Sequence, residues 1–183
     1  MKKLIITVTL FTFSSSLFFS FVYAVETNHS NHHVIKKNQT VSRQILSETE
    51  KKELLNVLKA NEDLHNSFYK RNYKRSEQAA KNVINAIDKI SNPQIQNKLK
   101  FTQKKLAQIS SSKSKKENNQ NYHLISMALM HLVNTYDLGS TYNGYYCSME
   151  KKKWIQNSKK QMKVQNPFAS DTMPACGAMI THY

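Results

Sequence analysis

Apolar residues recur at helical spacing in four separate stretches between residues 47 and 139, and this pattern predicts a helical core. Within each stretch they stand three or four positions apart, so they share one face of an α-helix. The stripes are Leu54, Val57, Leu58, Leu64 and Phe68; Ala80, Val83, Ile84, Ile87 and Ile90; Ile95, Leu99, Thr102, Leu106 and Ile109; and Tyr122, Ile125, Leu129, Leu132, Val133 and Tyr136. Four amphipathic helices with short links predict an antiparallel four-helix bundle.

Polar residues predict where some of these helices begin. Ser47, followed three positions later by Glu50, is a capping-box sequence for the first helix. Asn92 can cap the third helix with Pro93 in its first position, where a missing N–H does no harm. One continuous third helix is expected along its whole stripe. Residues 110–121 contain no apolar side chain, so they are predicted to form a loop or a frayed helix end.

The chain changes character after Gly139. Residues 140–183 contain both Cys, the only Trp and two of the three Pro, and they show no helical stripe. We expect a compact, mostly irregular Cys/Met module packed on one end of the bundle, in one domain with residues 47–139. The predicted fold class is therefore all-α, an antiparallel four-helix bundle with an irregular C-terminal module.

Residues 1–24 have the pattern of a secretory signal peptide. Two Lys precede an apolar run over residues 4–22, and the run ends in a cleavage-site pattern at Ala24. The alternative is a retained membrane anchor, because a spanning helix needs about 20 apolar residues. Ser and Thr within the run favour removal, which would leave no stable membrane span. The processed protein is expected to be periplasmic or secreted.

Residues 25–46 are predicted to be a flexible arm, because they contain little that could be buried. The arm includes His29, His32 and His33. Three His in five positions can bind a metal weakly, but a flexible tail is the preferred interpretation.

The chain is strongly basic. Its net charge is +15, and loss of Lys2 and Lys3 with the signal peptide would leave +13. A charge of this size usually indicates nucleic acid, but export removes nucleic acid from the expected partners. The remaining interpretations are a solvated surface and a docking surface for another envelope protein or an anionic envelope component, such as a phosphate-bearing lipid or a cell-wall polymer.

Two short segments of the C-terminal module concentrate sulfur. One contains Cys147 and Met149, and the other contains Met173 and Cys176. Thiolates and thioethers are soft donors that select Cu(I). An extended Cys-x-Met would place both sulfurs on one side, and Met-x-x-Cys can turn its sulfurs inward, so a site of three or four sulfurs results if the segments meet. The alternative is a structural disulfide, which an exported protein most often forms and which would contribute about 3–4 kcal/mol.

A secondary metal candidate lies on the fourth helix, where His123, Met127 and His131 share one face. Met on a helix usually fills a core and His usually lies at its polar rim, so packing is the competing interpretation. The chain shows no Ser-His-Asp arrangement, glycine-rich phosphate loop, HExxH motif or paired carboxylates. We therefore do not expect an enzyme.

Four segments of the C-terminal module form a recognisable pattern: Tyr145-Tyr146-Cys147-Ser148-Met149, Trp154-Ile155-Gln156, Asn166-Pro167-Phe168 and Met173-Pro174-Ala175-Cys176-Gly177. They resemble a bacterial domain of unknown function, numbered three-three-four-seven, whose pattern is Tyr-x-x-Cys-Pro-Met, Trp-Leu, Asn-Pro-Tyr and Met-Leu-x-Cys-Gly. The similarity covers about residues 47–180. Ser148 replaces the family Pro, Phe168 replaces the Tyr, and the Gly usual before the second Met is missing, but every sulfur residue is present.

Members of that family are exported, alone or behind the adaptor subunits of copper and silver efflux pumps. The resemblance therefore implies a periplasmic metal-handling accessory protein that binds Cu(I) or Ag(I) through Cys147, Met149, Met173 and Cys176, for buffering or for delivery to an efflux adaptor. The alternative hypothesis is a non-catalytic envelope interaction module with a Cys147–Cys176 disulfide and a basic docking surface.

Overall fold

The computed structural model describes residues 42–169, 172–181 and 183. Within these ranges the chain forms five helices and three short strands. They are α1 (Glu48–Tyr69), α2 (Tyr73–Asp88), α3 (Pro93–Lys98), α4 (Lys100–Leu106), α5 (Lys115–Thr135), β1 (Tyr142–Cys147), β2 (Lys152–Asn157) and β3 (Ala178–Met179). The predicted signal peptide and the part of the predicted arm that holds its three His lie outside the described residues.

The prediction of an all-α bundle with an irregular module is wrong, because residues 142–179 contain an antiparallel sheet in the order β2-β1-β3. Tyr142 pairs with Asn157 and Cys147 with Lys152 across the β1–β2 hairpin. The first four residues of β1 are all buried, so both faces of the strand are covered. A strand covered on both faces shows no alternation of apolar and polar residues, and the sequence pattern therefore gave no strand signal. The fold is a mixed one of helices and a small sheet.

Hydrogen bonds at the helix ends confirm two of the predicted caps. Ser47 and Glu50 form a complete capping box at α1. The Asn92 side chain accepts from two backbone N–H groups at the start of α3, with Pro93 in the first position. A second capping box, formed by Ser114 and Glu117, starts α5 inside the stretch that was predicted to be a loop or a frayed end.

The expected third helix is interrupted at Leu99, which separates α3 from α4. The N–H of Leu99 bonds to the carbonyl of Gln96 instead of continuing the regular helical ladder. Leu99 is nevertheless buried, and so are Thr102 and Leu106 on the next turns. The two pieces therefore bury one continuous edge, as the stripe predicted, although the helix itself breaks.

An aromatic cluster joins the helices to the C-terminal module in one core. Phe68 of α1 stacks on Tyr122 of α5 with ring centroids 4.4 Å apart, and Tyr122 contacts Phe168 at 5.7 Å. Phe168 in turn meets Trp154 of β2 edge-on at 6.3 Å. Trp154 is fully buried, so the sheet is part of the main core and not a separate layer.

The segment before α1 packs against the end of α5. Gln44 forms a parallel bridge with Tyr136, and Arg43 makes an ion pair of 2.9 Å with Asp137. Among the described residues, no helix has the length and apolar character needed to cross a membrane.

Candidate functional site

The two Cys form a disulfide between the end of β1 and the segment that precedes β3. Cys147 is fully buried, Cys176 is partly buried, and their Cα atoms lie 5.8 Å apart although the residues are separated by 29 positions. Both sulfurs are bonded, so neither offers a thiolate to a metal in this state. The structure thus brings together the predicted pair of Cys in the form of the disulfide alternative.

The thioethers of both sulfur segments are exposed. Met149 is 65% exposed and Met173 is 44% exposed. The segment from Cys147 to Met149 is not extended, because β1 ends at Cys147 and a turn follows over residues 148–151. The N–H of Cys176 bonds to the carbonyl of Met173 at 3.1 Å, which is the tight turn that the Met-x-x-Cys spacing predicted.

The candidate triplet on α5 is divided between two environments. Met127 and His131 are exposed, whereas His123 is partly buried and its Nδ1 accepts the backbone N–H of Lys153 at 3.2 Å. Burial lowers the pKa of His123, and the neighbouring charges of Lys152 and Lys153 act in the same direction. His123 thus joins α5 to β2. Within the described ranges, no three His, Cys, Asp or Glu side chains are grouped so that they could hold a metal ion.

Asn166 holds the chain beside the disulfide. Its side-chain amide donates to the carbonyl of Cys176 at 2.8 Å, and its side-chain oxygen accepts the N–H of Phe168 at 2.9 Å. Its backbone N–H bonds to the carbonyl of Pro174 at 3.0 Å. Asn166 is buried, so these bonds supply the hydrogen-bond partners that its polar groups cannot obtain from water. The residue therefore acts as a turn and packing residue, which agrees with a structural role for the Asn-Pro motif.

Glu62 of α1 anchors the hairpin to the helices, a role that no sequence pattern predicted. It accepts hydrogen bonds from the Tyr142 hydroxyl at 2.6 Å, the Asn157 amide at 2.8 Å and the Lys160 ammonium at 2.7 Å. Burial would raise the pKa of Glu62, but the bonds from Lys160, Tyr142 and Asn157 outweigh it and lower the pKa. One carboxylate therefore fixes both strands of the hairpin and the loop that follows.

His65, one turn further along α1, makes a second polar connection to the module. Its Nε2 donates to the carbonyl of Gln165 at 2.9 Å, and its Nδ1 is buried without a hydrogen-bond partner. Burial lowers the pKa of His65 from 6.5 to about 4, against smaller opposing effects from Gln165 and Glu62. Asn61 and His65 both fall on the buried side of α1. Polar residues on an apolar helix face were the one sequence signal that could have revealed this contact.

No protein-family model matches this chain, and no curated protein and no solved structure matches it either. The similarity to the domain of unknown function therefore depends on the quoted residues alone and stays a prediction.

Proposed function

We propose that this protein is an exported, non-catalytic interaction module, stabilised by its disulfide, that docks through its basic surface on an anionic component of the cell envelope. The observation that carries this proposal is the Cys147–Cys176 bond. Disulfides form and persist in oxidising compartments outside the cytosol. The bond also supports the signal-peptide interpretation of residues 1–24, because that segment would deliver the chain to such a compartment.

The charge balance supports docking on an anionic surface. The chain has 27 Lys and Arg against 12 Asp and Glu, an excess of 15 basic residues that becomes 13 if Lys2 and Lys3 leave with the predicted signal peptide. Some of the acidic side chains already form ion pairs within the protein: Glu62 pairs with Lys160, and Asp137 pairs with Arg43. An excess of uncompensated positive charge attracts anionic partners over distances set by the ionic strength.

Two measurements test this function. Protein recovered directly from the envelope compartment, with its thiols blocked during lysis, should contain no free thiol, and two free thiols per chain would contradict a permanent disulfide. Isolated envelope fragments should bind the protein at low salt and release it as salt approaches 1 M, where the Debye length is about 3 Å. Retention at 1 M salt would contradict electrostatic docking.

A second candidate function is metal handling by the reduced protein, with Cu(I) or Ag(I) delivered to an efflux adaptor or buffered. The observation that favours it is the position of two exposed thioethers, Met149 and Met173, in the short segments that carry the two Cys. In the disulfide form the residues do not fit a Cu(I) site, because thiolates are missing. After reduction the donor set would be two thiolates with two thioethers, which suits a soft monovalent cation.

Titration of the reduced protein with Cu(I), against a competing chelator, tests this second function. The Cys147→Ser, Cys176→Ser double variant should lose most of the affinity, and equal affinity in both proteins would contradict the proposal. Met149→Leu should weaken binding, whereas Met162→Leu is the matched control, because Met162 is exposed and lies outside both sulfur segments.

A further inference from the structure

The basic excess is concentrated in one part of the chain. Residues 89–116 contain eight Lys and no Asp or Glu, although acids stand at both borders, Asp88 and Glu117. This stretch therefore carries +8 of the total net charge of +15. It comprises the link that follows α2, all of α3 and α4, the loop after α4 and the first two residues of α5.

The fold arranges this stretch along the outside of α5. Near its beginning, the ammonium of Lys98 bonds to the hydroxyl of Tyr136, just beyond the end of α5, at 3.0 Å. Near its end, the Asn118 amide in the first turns of α5 donates to the carbonyl of Ser110 at 2.8 Å. The segment between these two points therefore runs antiparallel to α5 and spans most of the length of that helix.

Within this segment, α4 turns its apolar edge to the core. Leu99, Thr102 and Leu106 are buried, and α4 packs against α2 and α5. Four residues lie on the side of α4 opposite these buried positions, and we call them the α4 face: Lys100, Phe101, Lys104 and Lys105. Lys100, Phe101 and Lys104 are exposed and Lys105 is partly exposed. Asp88 lies near this helix and accepts a hydrogen bond from Gln103 at 2.6 Å.

Phe101 distinguishes the α4 face from an ordinary solvated surface. Its side chain is 53% exposed, and the Lys105 ammonium lies 5.5 Å from its ring centroid. A soluble anionic polymer would need only the Lys charges. At a bilayer surface the Lys ammonium groups are attracted to anionic headgroups, and an aromatic ring can sit at the level of those headgroups. Phe101 therefore gives the α4 face an apolar contact that a soluble anionic polymer would not use.

We propose that the α4 face docks on the surface of a bilayer that contains anionic phospholipid, with Phe101 entering the headgroup region. This docking site rests on the proposed function, since it names the part of the basic surface that binds and the envelope component that it binds. The helix stays folded on α2 and α5 while it docks, because its buried edge points away from the α4 face.

Vesicle binding tests this site with a matched pair of variants. The experiment uses the chain from Val25 onward, which is the predicted processed form, with its disulfide intact. This chain contains every residue of the described core. Vesicles of phosphatidylglycerol and phosphatidylcholine should bind it, and vesicles of phosphatidylcholine alone should not. Replacing Lys100, Lys104 and Lys105 by Gln should lower the affinity by roughly 100-fold, about fivefold for each Lys.

The control variant replaces Lys51, Lys52 and Lys59 by Gln, which removes the same charge from α1. That helix packs on α2 and the sheet and makes no comparable contact with α4. We expect less than about a fivefold effect from this control. Phe101→Trp adds an optical reading: its fluorescence should shift to shorter wavelength on anionic vesicles, against a constant signal from the buried Trp154.

Two results would overturn the site: equal loss of affinity in the two triple variants, and an unshifted Phe101→Trp spectrum on vesicles that bind the protein. Failure to bind phospholipid, combined with salt-sensitive binding to a soluble anionic cell-wall polymer, would reject the bilayer but leave the proposed function standing. Absence of binding to every anionic envelope fraction would reject both. The melting temperatures of the two triple variants and of Phe101→Trp should equal that of the natural chain, which would exclude unfolding as the cause of any loss of binding.

Discussion

Tyr142 and Glu62 share a hydrogen bond of 2.6 Å across 80 positions of the chain, and this bond attaches β1 to α1. Asn157 and Lys160 donate to the same carboxylate. Separation of α1 from the β1–β2 hairpin would therefore break three hydrogen bonds to Glu62 at once. The disulfide joins β1 to the segment before β3, and the Glu62 anchor attaches the hairpin to α1, so a small three-stranded sheet keeps its place on the helices.

We expect Glu62→Ala to lower the free energy of unfolding by about 2 kcal/mol, because it leaves the buried donors of Tyr142 and Asn157 without their acceptor. Denaturant unfolding measures this effect. Glu150→Ala is the control, since Glu150 is exposed in a turn, and it should change stability by less than about 0.5 kcal/mol. Equal effects of the two variants would contradict the role of Glu62 as an anchor.

His65 should make stability depend on pH. Its pKa is about 4 in the folded protein and 6.5 when unfolded, so between these values the unfolded chain binds more protons. The contribution of His65 to the free energy of unfolding should therefore be fully present above pH 6.5. It should be lost as the pH drops toward 4, by about 3 kcal/mol in total. Chemical denaturation at a series of pH values measures the slope.

His65→Gln should remove the larger part of that slope, and His123, whose pKa burial also lowers, should account for the remainder. His131→Gln is the control at an exposed position of α5. An undiminished slope in His65→Gln would contradict this role of His65.

Loss of the disulfide should cost about 3–4 kcal/mol, because the bond closes a loop of 29 positions in the unfolded chain. The Cys147→Ser, Cys176→Ser variant should melt at a lower temperature than the oxidised protein. Reductant should lower the melting temperature of the natural chain and leave the double variant unaffected. Identical melting of the natural chain with and without reductant would show that the bond does not stabilise the module.

Comparison of Gly177→Ala with Gly139→Ala separates the steric cost of an added Cβ from the cost of backbone strain. Both glycines have positive φ, 137° and 78°, so Ala is strained at either position. A Cβ on Gly177 would also lie 2.6 Å from Trp154, whereas a Cβ on Gly139 would meet nothing within 4 Å. Gly177→Ala should therefore destabilise by about 2 kcal/mol more than Gly139→Ala, and the near-UV signal of Trp154 should change in the first variant alone. Equal losses would place the whole cost in the backbone.

The helices were predictable because their signals are local. The periodic stripes and the caps at Ser47 and Asn92 involve groups within a few positions of one another, and the structure confirms these caps. The break at Leu99 and the early start of α5 were missed. Buried edges continue through the break, so periodicity alone cannot reveal it, and the capping box of Ser114 and Glu117 lay in a stretch without apolar residues.

The sequence by itself determined the helical faces, the basic charge and the presence of two Cys in one short module. Only the tertiary structure decided that this module is a sheet, that Cys147 meets Cys176, and that Glu62 and His65 fasten it to α1. The reason is physical: a strand covered on both faces has no periodic pattern, and contacts across 29 to 100 positions depend on how the whole chain closes. Local periodicity specifies which side of a helix is buried, but it does not specify what covers it.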